Sequence, residues 1–394
     1  MSALDVLVGS THIGVLEQFE DERYIFSFAP DWLEDPDRPV LGQYFEDQRP
    51  RDIEFWGPPC WFAHLLPQGP MRRAIARAAD VDQGDVFELL RLYGEDLPGA
   101  VFLRPGASRW PRSRAGVQTR HAGGLQMTGA LAGAQWKLSL REDDRGLVIP
   151  VVGESGSWIA KFHDPSLPGL PRVEFATATW ARASGIDVPT VRLGRCDEVV
   201  ALPSCIPTGD GSVYLIERFD RASHGRRIHM EDFGQVLDRP PGQAQFTGSA
   251  ELIAAVITAV APIDLQQFCE RLVFCALCGN GDAHLKNWSL LYPDARAARL
   301  SPAYDLVSTV VYDELDDWMA LPIGGSPRFE EVRVASFARL AEVCDVAFTE
   351  VARWVQDAAG RTRAAWAEHH AGWPLTAREC ARLEAHLHRV PLPG

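Results

Sequence analysis

The chain is poor in the features that would take it out of the cytoplasm. None of its apolar runs reaches the ~18 residues that a membrane-spanning helix needs. The opening MSALDVLVGSTHIGVLEQF has no basic lead before an apolar stretch and no small-residue cleavage site, so a secretory leader is not expected. Its 8 cysteines, at 60, 196, 205, 269, 275, 278, 344 and 380, are too scattered for a disulfide scaffold. Cys275 and Cys278 form a CxxC, but inside FCERLVFCALCG, with no second cysteine pair and no nearby histidine pair to complete a zinc site; core filling is the expected role. Basic charge is short as well: 39 Lys and Arg stand against 53 Asp and Glu, a net charge of -14. That excludes an extended direct contact with nucleic acid, which needs clustered cations, and leaves any DNA contact to a basic partner. The expected location is the cytoplasm, with no membrane contact.

What is present is an ordinary globular composition in a chain of 394 residues, too long for one small core. Residues 1–105 read as a first unit. Strand-like runs at Val6 to Val8, Ile13 to Phe19 and Tyr24 to Phe28 lead into helical patterns, one after Pro70 and one in DVFELLRLYG, which Gly94 is expected to cap. GEDLPGAVFLRP closes the unit, and residues 106–124, rich in Arg, Gly and Ser, read as a linker. Residues 125–221 alternate strands with one helix: LAGAQWKLSLRE with Leu138 and Leu140 on one side, WIAKFH, the helix RVEFATATWARASG with Val173, Ala176, Trp180 and Ala183 on one face, then VPTVRLGRC, VVALPSCI and VYLIERFDR. This is how the smaller lobe of a protein kinase runs into its hinge. Residues 222–394 read as mainly helical: HMEDFGQVL, a buried ELIAAVITAV, and LQQFCERLVFCALC with Asp264 as its expected N-cap. A hairpin at Trp288 to Tyr292 and Arg299 to Ser301 interrupts the helices, which resume from Glu330.

Between helix and hairpin lies GNGDAHLKN, Gly279 to Asn287, a short polar loop between rigid neighbours. Phosphoryl transfer needs a lysine on the phosphates, oxygen ligands for magnesium and a group that orients the acceptor hydroxyl. Asp282 and Asn287 have the spacing of a kinase catalytic loop, and Asp305 follows the hairpin where a kinase's metal-chelating aspartate lies. Lys161 sits on a strand, Glu174 on the next helix could pair with it, and the Gly133 turn would let backbone N–H groups approach phosphates. Singly these signals are weak. Lys286 alone reads as a loop charge, and His284 reads equally as a ligand contact or a hydrogen-bonding brace. Their order and spacing are what point to a kinase.

The stretches FAHLLPQGPMR, LLRLYGEDLPGAVFLRP, AGAQWK, ERFDR, HMEDFGQVL, GNGDAHLKNWSLL and LSPAYDLVST together resemble the HipA family of bacterial serine/threonine kinases, the toxin halves of toxin–antitoxin pairs. The resemblance covers nearly the whole chain. It implies an α+β, protein-kinase-like fold with a β-rich N-terminal subdomain and a mainly helical C-terminal lobe. It implies ATP and Mg2+, a protein acceptor of the translation machinery bearing Ser or Thr, growth inhibition, and a HipB-like DNA-binding antitoxin. By position, Asp282 is then catalytic, Asn287 and Asp305 hold metal, and Lys161 contacts phosphate. Ala132, Gly133, Ala134, Gln135 and Lys137 form the phosphate loop and its exit, Glu217 and Phe219 the adenine hinge, and His284 and Lys286 face the nucleotide. Such kinases often carry a self-phosphorylated serine three residues before the loop glycine. Here Ala130 takes that place, with Thr128 and Ser139 the nearby hydroxyls. Two other readings remain open: a kinase-fold co-repressor working with a DNA-binding antitoxin, and a small-molecule kinase of the aminoglycoside phosphotransferase kind.

Overall fold

The computed structural model describes residues 2–48, 51–107, 135–144, 146–150, 156–222, 225–315 and 317–393. Ala132, Gly133 and Ala134, like Thr128, Ala130 and most of the expected linker, lie outside the described residues.

In the N-terminal unit, alternating apolar residues build an antiparallel sheet from β1 (Ser2–Val8), β2 (Thr11–Gln18), β3 (Arg23–Phe28), β4 (Asp52–Trp56) and β5 (Val101–Pro105), in the order β4-β3-β2-β1-β5. Three of these strands are the expected runs; β4 was not foreseen, and β5 is the closing segment, paired with β1. Helices Gly69–Ala79 and Val86–Tyr93 lie between β4 and β5 in the chain, and the second begins under the Asp85 carboxylate, which accepts from Glu88 N–H at 3.0 Å. Gly94 ends that helix with φ −64, so the expected left-handed cap is absent. Its glycine answers a different need, since a Cβ there would meet the Leu103 carbonyl at 2.2 Å.

The second sheet comprises β6 (Lys137–Asp143), β7 (Gly146–Val148), β8 (Trp158–Lys161), β9 (Val191–Arg195) and β10 (Ser212–Glu217), in the order β7-β6-β8-β10-β9 and antiparallel throughout. One face (Leu138, Leu140, Ala160, Leu215) packs into the same core as the N-terminal unit. From the other face, Tyr214 and Ile216 join the core of the helical lobe together with helix Leu170–Ala183. Val173, Ala176 and Trp180 are buried as expected, whereas Ala183 is exposed and Ala181 takes the core position. The expected strand VVALPSCI does not form; Val199 makes an isolated bridge to Leu147, and Ala201 turns the chain at φ +55.

In the larger lobe β11 (His229–Asp232), β12 (Ser289–Tyr292) and β13 (Arg299–Leu300) make a small sheet, and β14 (Trp318–Ile323) and β15 (Ser326–Arg328) a hairpin. HMEDFGQVL is therefore half strand, because His229–Asp232 finds a partner in β12; the helix begins only at Phe233. Helices Ala250–Val260, Leu265–Cys278, Phe348–His369 and Ala377–Arg389 carry most of the rest. Ala250–Val260 buries one face only, with Val256 and Val260 left half-buried. Asp264 does not cap its helix by side chain; its carboxylate takes Arg299 in a two-pronged pair at 2.8 Å and the Leu300 N–H at 2.8 Å. Cys275 and Cys278 are buried in the core, which pushes both thiols up from their ordinary range.

The N-terminal unit is seated on the larger lobe through Glu231. This fully buried carboxylate accepts from Gln43 N–H (2.9 Å), Trp61 Nε1 (3.1 Å) and the Tyr292 hydroxyl (2.5 Å). Glu231→Gln would turn an amide NH2 against those donors, and an unsatisfied buried donor costs about 1–3 kcal/mol. Denaturant unfolding should show that loss; an unchanged midpoint would dismiss Glu231 as the keystone of the seam.

Candidate functional site

The two lobes and the N-terminal unit enclose a cavity of about 970 Å3, lined by residues from all three. Strand alternation sets its charged ceiling. Lys137 lies directly across from Lys161 in the β6–β8 pair, and Lys161 across from Tyr214 in the β8–β10 pair, so all three share the face opposite the leucines. Like charges so opposed are destabilising unless an anion sits between them.

Asp305 and Glu174 are the anions in place. Lys161 Nζ lies 2.8 Å from Asp305 Oδ1 and 3.0 Å from Glu174 Oε1, with Lys161 and Glu174 almost wholly buried. Burial alone would depress the Lys161 ammonium and raise the Asp305 carboxyl, but their attraction outweighs it and holds each well inside its charged range. Burial pushes Glu174 up from its usual value. Lys137, equally enclosed, has no ion pair among the described residues, and burial brings it down to about 8. Asp305 itself has φ +52, an uncommon backbone state for a non-glycine residue, of the kind that clusters at functional sites.

The floor is GNGDAHLKN. Gly279 ends helix Leu265–Cys278 at φ +67, where a Cβ would strike Val310 Cγ2 at 2.3 Å. Thr309 stitches the turn, its hydroxyl accepting from Gly281 N–H (2.8 Å) and donating to the Gly279 carbonyl (3.0 Å). Asn280 Oδ1 accepts the Asp282 N–H at 3.1 Å, and Asn287 Nδ2 donates to the Asp282 carbonyl at 2.6 Å; among the described residues nothing donates to the Asn287 amide oxygen. Asp282 is thus fixed by its backbone while its side chain stays 53% exposed. That exposure gives onto the enclosed cleft, where burial and the Asp305 charge push its carboxyl up to about 7. His284 packs edge-on against Phe246 with ring centroids 4.8 Å apart, and burial and the Lys286 charge bring it down to about 4, so it is neutral at pH 7.

The cavity therefore brings together Gln135, Lys137, Lys161, Glu217, Phe219, Asp282, His284, Lys286, Asn287 and Asp305. Two of them are differently engaged than a nucleotide-facing role implies. Lys286 turns its ammonium to Asp232 and His64, and Gln135 reaches the Phe162 carbonyl at a long 3.4 Å. Ser139 is fully buried, and its hydroxyl accepts from Arg218 at 3.2 Å. Sequence reasoning missed His64, Asp232 and Thr309, and it marked Tyr304 only as part of the YDL motif, with no role for the hydroxyl that donates to the Lys286 carbonyl at 2.7 Å. HMED and FAHLLP stood out as motifs, but nothing in them places a side chain beside the loop.

Among the described residues no helix is long and apolar enough to cross a membrane. Residues 4–104 match the family model for the HipA N-terminal domain, and residues 129–366 the one for the HipA-like C-terminal domain. The protein named "Putative kinase Y4dM" from Sinorhizobium fredii is 35% identical over 100% of this chain and 98% of its own length. "Serine/threonine-protein kinase toxin HipA" from Shewanella oneidensis is 24% identical over 67% of this chain and 66% of its own. In three dimensions the Shewanella oneidensis HipA, solved with HipB and operator DNA, superposes with a TM-score of 0.73 at 20% identity, covering 98% of this chain and 95% of that one. That likeness carries the α+β fold, β-rich at the N-terminus and helical at the C-terminus. With both its segments matched and a kinase-named relative similar along its whole length, the chain belongs to the HipA family.

Proposed function

We propose that the chain is a serine/threonine protein kinase that transfers the γ-phosphate of ATP to a hydroxyl of a cellular protein of the translation machinery, and thereby restrains growth. The observation that carries the reading is the pair of opposed lysines, 137 and 161, sharing one cavity with Asp305 and Asp282: two enclosed ammonium groups beside carboxylates, an arrangement suited to a triphosphate. In this reading the backbone of Glu217 and Phe219 holds the adenine, and Lys161 and Lys137 receive the phosphates. The Asp282 carboxylate orients the acceptor hydroxyl and takes its proton.

The residues present fit Mg2+. Asp305 and the amide oxygen of Asn287 are hard oxygen donors, and one carboxylate plus phosphate oxygens suits an ion that rarely takes an all-protein cage. Among the described residues no cluster of three or more His, Cys, Asp or Glu forms such a cage. Bound there, Mg2+ would supply neutralising charge to the phosphate oxygens.

A protein acceptor, rather than a small metabolite, is favoured by the solvent-exposed part of the cavity. Phe246, Leu315 and Trp318 line it and are 45%, 39% and 54% exposed, large apolar surface of the kind that meets another macromolecule. A HipB-like antitoxin as partner rests on the family and on the acidic charge of this chain, which leaves DNA contact to a basic companion. The test is incubation of the full chain with γ-labelled ATP, Mg2+ and a cell lysate. Label is expected on Ser or Thr of a protein. Label on a small metabolite would replace this reading with the small-molecule kinase, and failure to bind ATP with Mg2+ would replace it with the co-repressor.

A further inference from the structure

We infer that His64, from the N-terminal unit, is a positioning residue of the catalytic loop: it holds the Lys286 ammonium and so mounts the loop on a domain outside the two lobes. The inference rests on the kinase reading above. His64 caps the short helix Cys60–Ala63, is 1% exposed, and reaches the larger lobe with both ring nitrogens. Nε2 lies 2.6 Å from the Arg239 carbonyl, which can only accept, so Nε2 carries the proton and Nδ1 is bare. Bare Nδ1 lies 2.8 Å from Lys286 Nζ. Burial and the neighbouring Lys286 charge lower the affinity of the ring for a proton, against the pull of Asp232, in keeping with that neutral tautomer.

The Lys286 ammonium has three N–H donors, and the protein supplies three acceptors: His64 Nδ1, the His64 carbonyl at 3.2 Å and Asp232 Oδ2 at 2.7 Å. A lysine so occupied is a strut. Its other end is the loop itself, where its carbonyl accepts from Tyr304 beside Asp305, and where Asn287 follows directly and bonds back to the Asp282 carbonyl. Fixing Lys286 therefore fixes the register of Asp282 and Asn287, and small misplacement of reacting groups is costly, on the order of 100-fold per ångström. This gives the N-terminal unit a share in catalysis that its distance in sequence conceals.

Full-length His64→Ala and His64→Asn separate positioning from mere stability. Asparagine offers Oδ1 close to where Nδ1 sat, so it can still accept from Lys286, while both variants lose the rest of the ring and its bond to Arg239. Both should melt at similarly lowered temperatures. In label transfer from γ-labelled ATP to lysate protein, kcat should fall about 10- to 100-fold in His64→Ala with KM for ATP within about threefold, and return to within about threefold of wild type in His64→Asn. Unchanged kcat in His64→Ala, or equal losses in the two variants, overturns the inference. A wild-type chain that binds ATP yet transfers no label overturns the kinase reading itself, and this inference with it.

Discussion

Asp282→Asn is expected to lower phosphoryl transfer by about 100- to 10,000-fold, the range that a positioned general base contributes, without unfolding the protein. The Asp282 side chain is half open to the cleft, and among the described residues its carboxylate meets only the neutral His284 ring, at 4.0 Å, so little packing is lost. The substitution also removes a negative charge that burial and Asp305 make costly, and the variant should melt no lower than wild type. The pH profile gives a second signature. The active form is the carboxylate, and its pKa in the free protein is pushed up to about 7. On the acid side kcat/KM for ATP should therefore fall about tenfold per pH unit below that value. On the basic side, deprotonation of Lys137 at about 8 should weaken phosphate attraction, giving a bell. In Asp282→Asn the acid limb should vanish from the residual rate while the basic limb stays. A variant within tenfold of wild type, or one that keeps the acid limb, would remove Asp282 from the role.

The second large effect is on stability and activity together. Lys161→Met leaves Glu174 and Asp305 without the ammonium that lies 3.0 Å and 2.8 Å from them. Breaking a buried ion pair on one side typically costs about 3–5 kcal/mol, because the abandoned charge stays buried. Glu174 can escape part of this by taking a proton, as burial already raises its pKa. A raised folded-state pKa means that the folded form holds the extra proton. Stability from that source is full below the ordinary Glu value and is lost as pH rises through the folded value. The deficit of Lys161→Met should accordingly widen with rising pH. Adding Glu174→Met replaces the second charge by an apolar side chain of similar length and should recover much of the loss, with transfer abolished in both variants. Chemical denaturation at two pH values reads all of this. An unfolding midpoint for Lys161→Met equal to wild type would mean that the triad contributes nothing to stability.

Much of the site was legible because its geometry follows from local rules. A strand period of two is enough to place Lys137 and Lys161 on the face opposite Leu138 and Ala160. A glycine after the apolar helix marks the left-handed stop at Gly279, and the polar loop beyond it has nowhere to lie but between that stop and β12. The seam was not legible. Gln43, Trp61 and Tyr292 converge on Glu231 from both ends of the chain, and no periodicity records such a meeting.

The same division holds for single residues. By itself the sequence determined the set of reactive groups, their order and the faces of the elements that carry them, since these depend on neighbours within a few positions. Only the tertiary structure decided which partner each group takes. Asp264 had the form of a helix cap and became the anchor of Arg299; HMED had the form of a helix and became a strand once β12 lay beside it. Lys286 had the form of a loop charge and became a strut on Asp232 and on His64, a residue 222 positions away. A buried charged group must find its acceptors wherever packing brings them, and that choice is made by the folded chain as a whole.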